Sequence, residues 1–152
     1  MWTKTRSLML SRILVAGLFF LLCVLVICIP FIAKWFDAIS VGKGLIKGSV
    51  TVPVCIMLYI CDIFAFAAVI SLNRLLGNIN RDSVFTEENT RCLRIISWSC
   101  VFAGITFAVF SVWRFEFLFA AFFACFLGLV MRVLKNVFEK AVEIKSENDF
   151  TI

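Results

Sequence analysis

Between Arg12 and Lys34 the chain runs for 21 residues without a charge. As a helix rising 1.5 Å per residue, that stretch covers about 30 Å, the thickness of a bilayer's hydrocarbon core. Three further runs follow: residues 48–73, interrupted only by Asp62, then 95–113, then 117–131. Val133 and Leu134 prolong the last of them, and the long Arg132 side chain can reach up to the interface. Of the 152 residues 62% are hydrophobic and 16% charged. Soluble domains are nearer 45–50% and about 25%, and a chain this small has too much surface to hide the difference. These numbers exclude a soluble enzyme. They predict one all-α domain over residues 1–152, a polytopic membrane protein with four transmembrane helices in an antiparallel bundle. The expected spans are about 13–33, 50–73, 95–113 and 117–134.

The first run has the Lys4, Arg6 and Arg12 flank of a signal peptide. It is longer than the usual 7–15-residue apolar region and reaches Pro30 and Lys34 without a small-x-small cleavage site. It therefore reads as a retained span. Orientation follows from Lys and Arg. Eleven of the 15 fall in the N-terminal segment, the connection between spans two and three and the C-terminal segment; four fall in the other two connections. This predicts both termini in the cytoplasm. Trp2 and Trp98 fall at the inner boundary and Trp35 and Trp113 at the outer one, as an aromatic belt requires.

Two segments on the predicted inner side are patterned beyond what a connection needs. Gly77 after Leu75-Leu76 reads as a helix stop. Thr86 reads as the cap of a new helix, with Glu87 and Glu88 at the positive end of its dipole and Phe85 fixing the entry angle. After span four, Val130, Val133, Leu134, Val137, Phe138, Ala141 and Ile144 recur at helical spacing. They mark an amphipathic extension over 135–146, whose stripe is expected to be covered by the start of helix three or the end of helix two. The tail, 147–152, closes on Asp149-Phe150-Thr151-Ile152, a pattern suited to a groove or a sheet edge.

The segment Val84–Arg94 (VFTEENTRCLR) and the tail Ile144–Ile152 (IKSENDFTI), set among four spans, resemble the bacterial membrane family called domain of unknown function 2975. Its members commonly begin the third helix with Phe-Ser or Phe-Thr and end in a pattern like Glu-Asn-Asp-Leu-Thr-Ile; Phe150 stands here where Leu is usual. The resemblance implies a soluble helix-turn-helix regulator as a partner, because members are often encoded beside one. Phe85, Thr86, Glu87, Asn89, Asp149, Phe150, Thr151 and Ile152 are the residues expected to meet it.

Chemistry has few other footholds. There is no His, the commonest general base and metal ligand at neutral pH. None of the seven Cys form Cys-x-x-Cys, so they read as small apolar packing residues rather than metal or redox groups. Gly17, Gly104 and Gly128 sit singly in spans, where small residues permit close helix contact. No phosphate loop or nucleotide fingerprint is present. The basic residues, interspersed with acids, suit anionic lipid headgroups better than nucleic acid. The expectation is a non-enzymatic protein with no cofactor and no metal, working through its cytoplasmic face. The alternative is a small transporter or ion-responsive channel built on Asp62, the one ionisable residue deep in a span.

Overall fold

A computed structural model describes residues 4–40, 44–81 and 83–149. The described residues form four α-helices and no strand: α1 (Lys4–Ile39), α2 (Thr51–Asn80), α3 (Glu87–Phe110) and α4 (Glu116–Asp149). Each is long and apolar enough to cross a membrane. Phe20, Ile27, Phe31 and Phe119 are each at least 70% exposed, a surface that suits lipid and not water.

All four helices are longer than the uncharged runs that announce them, although α2 begins at Thr51, three residues into its run, and α3 stops at Phe110, three residues before the end of its own. Pro30 does not end α1, which continues to Ile39. A helical proline leaves the carbonyl four residues back without a donor, here that of Val26. Tyr59, the chain's single tyrosine, donates its hydroxyl to that carbonyl from α2 at 3.4 Å, the kind of neighbouring-helix rescue that lets proline persist inside a span. Gly77 does not end α2 either. The helix runs three residues further, to Asn80, and stops where Arg81 and Ser83 both donate their N–H groups to the Asn78 carbonyl.

Close packing joins α1 to α2, α2 to α3 and α3 to α4, and no other pair of described helices. The expected bundle is therefore open along one side. Side chains of α1 and α4 meet at the end where the Leu45 N–H bonds the Val112 carbonyl, with the Phe36 and Phe117 rings 5.3 Å apart. We call this the loop end; the turn at 81–86 marks the opposite, turn end. Each end has its own core. Ala33, Val50, Val54 and Met57 are buried at the loop end beneath Phe36, Phe107, Phe110, Trp113 and Phe117. Leu75, Cys92 and Leu93 are buried at the turn end beneath Met131 and Phe138.

The α3–α4 seam is the tightest. A Cβ on Gly104 would stand 2.5 Å from the Cys125 Sγ and 3.0 Å from the Cys125 backbone nitrogen. One on Gly128 would stand 2.7 Å from Val101 and 3.2 Å from the Ser97 carbonyl. Ser97 donates its hydroxyl across the seam to the Gly128 carbonyl at 2.8 Å. Gly17 has nothing within 4 Å of where a Cβ would be, so it serves no helix contact within the chain.

Candidate functional site

The turn between α2 and α3 is held from inside by Asn89. Thr86 is the N-cap of α3, in extended conformation, and its hydroxyl accepts the Asn89 N–H at 3.4 Å. That places Asn89 in the first helical turn, where its side chain points back under the connection. Its amide nitrogen donates to the Ser83 and Val84 carbonyls at 2.8 and 2.7 Å. Its amide oxygen accepts from the Asn78 side chain at 2.8 Å. Asn89 is completely buried, so all of its side-chain bonding is spent within the chain. Buried amides that lack partners are costly; this one is supplied on both atoms, and so fixes one shape for the turn.

Phe85 is 45% exposed. It rests on α4, its ring 5.6 Å from that of Phe138. Thr86 is half-buried and Glu87 is exposed beside it. The structure thus gathers Phe85, Thr86 and Glu87 on one surface next to α4 and puts Asn89 beneath them. Asp149 ends α4, so the segment 147–149 is helical and continuous with the extension. Phe150, Thr151 and Ile152 lie outside the described residues.

Past residue 134, α4 continues for 15 residues, about 22 Å of helix. Its apolar stripe divides in two. Phe138 turns onto the turn-end core, as expected for cover from α2 and α3. Val133, Val137 and Ile144, 51 to 62% exposed, face away from it. Arg94 of α3 meets Glu139 of α4 at 3.4 Å, and Lys135 also binds Glu139 one turn away. The Lys135 hydrogen bond, more than any other influence, lowers the Glu139 pKa below its ordinary value.

Asp62 is buried at mid-helix in α2, and its Oδ1 has no hydrogen-bond partner. Tyr59 bonds Val26 and Phe66 stacks edge-on to Phe19, an antiparallel register that puts Asp62 level with Cys23 of α1. The hydroxyls of Thr106 and Ser111, possible partners by sequence, instead donate to carbonyls of their own helix. A carboxylate at bilayer depth costs about 2.5–3.5 kcal/mol on insertion scales, and nothing else in the described residues offsets that cost at Oδ1.

Two residues at the loop end escape a sequence reading. Asp37 lies past Lys34, beyond the uncharged run, and caps α2 from α1: Oδ1 accepts the Val50 N–H at 2.9 Å, and Oδ2 accepts the Ser49 and Thr51 hydroxyls at 2.6 and 2.7 Å. Those donors, Ser49 foremost, lower its pKa to about 2. Arg114 is 3% exposed. It donates from Nε to the Ser40 carbonyl and hydroxyl at 3.1 and 3.0 Å, just past the C-terminus of α1, and from Nη1 to the Trp113 carbonyl at 2.9 Å. A cation there complements the negative end of the helix. Both side chains are turned inward and lock the connections together. The only hint in the sequence is that Ser49-Val50-Thr51 opens a helix without an acid of its own.

The family described as Protein of unknown function (DUF2975) matches residues 8–152, nearly the whole chain, and the protein belongs to that family. No curated protein and no solved structure matches it.

Proposed function

We propose that this DUF2975 member is a non-enzymatic membrane protein that uses its turn end, in the cytoplasm of a bacterial cell, to hold a soluble regulator. The observation that carries this reading is Phe85. It is a large apolar side chain, about half exposed, on a turn that the buried Asn89 fixes in shape with the half-buried Asn78, beside a helix extension whose Val137 and Ile144 are also exposed. Pre-shaped surfaces lose less entropy when they bind. The loop end also exposes apolar side chains, Leu45 and Phe115 among them, but its Asp37 and Arg114 are bonded within the chain. The family resemblance makes a helix-turn-helix protein the first partner to try.

The test is co-purification in mild detergent followed by mass spectrometry, comparing the full chain with a Phe85→Ala variant and with one lacking residues 146–152. A partner held by the full chain and lost from both variants supports the proposal. Equal recovery from all three contradicts it. Asp62 favours a second reading, a small transporter or ion-responsive channel, because its Oδ1 is buried without a donor. Asp62→Asn should then abolish the associated ion flux in reconstituted vesicles while leaving the helical fold intact; unchanged flux removes this reading.

A further inference from the structure

We infer that the cleft between α3 and α4 at the turn end binds a phosphate group, that of an anionic phospholipid drawn from the surrounding bilayer. The cleft has a volume of about 90 Å³ and is lined by Arg94, Ser97, Trp98, Arg132, Lys135 and Asn136. Three of those six are cations. The acid on the page that faces them is Glu139, which Arg94 and Lys135 already share. Against three positive charges it leaves a net charge of two to be balanced.

Depth points to lipid. Arg94 ends the polar approach to the uncharged run 95–113, and Arg132 closes the run 117–131. Both therefore sit at one edge of the hydrocarbon, where lipid phosphates lie. The Ser97–Gly128 bond fixes the antiparallel register of the two helices and brings Arg94 and Arg132 to the same level. Trp98 is 43% exposed, and the Arg132 guanidinium carbon lies 5.1 Å from its ring centroid. Stacking of this kind orders the guanidinium without using its N–H donors. Lys135 is also ordered: its side chain is only 15% exposed, and it donates to Asn136 Oδ1 at 3.3 Å as well as to Glu139. A planar, pre-oriented guanidinium beside a second arginine matches the oxygen pattern of a phosphate, and basic clefts between spans are recognised sites for anionic headgroups. Ser97 spends its hydroxyl on the seam and forms the floor.

The experiment uses the full-length protein in a neutral detergent, offered phosphatidylglycerol and phosphatidylcholine in equal amounts, with retained lipid counted by native mass spectrometry. Phosphatidylglycerol should be retained in preference by roughly tenfold or more. The double variant Arg94→Gln/Arg132→Gln, altered at two exposed side chains, should bring the preference close to one with an unchanged melting profile. Lys140→Gln/Lys145→Gln removes the same number of charges from the exposed part of α4 and should keep the wild-type preference. Millimolar inorganic phosphate separates the sources. Failure to displace the lipid assigns the site to the headgroup, and full displacement shows that the same cleft takes free phosphate. Equal retention of the two lipids by the wild type overturns the inference. So does a wild-type preference in the arginine variant, or an equal loss in the lysine variant.

Discussion

Gly128→Leu should separate α3 from α4. A side chain there has no free direction, because a Cβ alone would press on Val101 and on the Ser97 carbonyl. It would also break the buried Ser97 hydroxyl bond to the Gly128 carbonyl. Overpacking of a tight site costs about 1–3 kcal/mol, and a contact with backbone puts this one at the upper end. Thermal unfolding in detergent should show a marked drop for Gly128→Leu and for Gly104→Leu. Gly17→Leu, which meets nothing within 4 Å, should melt like the wild type. A wild-type melting profile for Gly128→Leu would mean that the seam is not as close as described.

Asn89→Leu should open the turn without unfolding the helices. The substitution keeps the volume but removes all three side-chain hydrogen bonds. It strands the Ser83 and Val84 carbonyls and the Asn78 amide, at about 1–3 kcal/mol for each group that stays buried. The turn can recover part of that cost by moving into water, so the loss should be local. Limited trypsin digestion reads it directly: cleavage after Arg81, exposed at the end of α2, should be fast in the variant and slow in the wild type. Helix content by circular dichroism should hardly change. Partner retention should fall with Asn89→Leu as is expected for Phe85→Ala, because Asn89 shapes the surface on which Phe85 is presented.

How far a feature is legible in the sequence depends on the range of the interaction behind it. The start of α3 was legible because capping is local: Thr86, Glu87 and Glu88 carry the signal within four residues. Gly77 misleads for the opposite reason: it is a helix breaker in water, yet it sits a residue ahead of Asn78, whose carbonyl and amide anchor the turn. Pro30, inside the expected span 13–33, is tolerated there because the Val26 carbonyl finds Tyr59 on another helix. Asp37 and Arg114 were out of reach because their partners lie 12–14 and 74 residues away in the chain. The spacing of the α4 stripe marks it as helical, but periodicity alone does not reveal that Phe138 faces a neighbour while Val133 and Val137 do not. The resemblance puts Asn89 among the residues that meet a partner; the fold instead buries it, so it can act only from beneath the surface.

Which side of the membrane the turn end faces decides whether a soluble cytoplasmic regulator can reach it. Cys92 is a poor reporter, since it is buried in the turn-end core. Better positions are exposed: Ser83 in the turn and Lys47 at the loop end. With the seven native cysteines replaced by alanine, Ser83→Cys and Lys47→Cys are each treated with a membrane-impermeant maleimide in intact cells and again after permeabilisation. Labelling at position 47 in intact cells, with position 83 labelled only after permeabilisation, is the predicted result. Labelling at position 83 from outside would contradict the account, because the surface built on Asn89 and Phe85 would then face away from the cytoplasm.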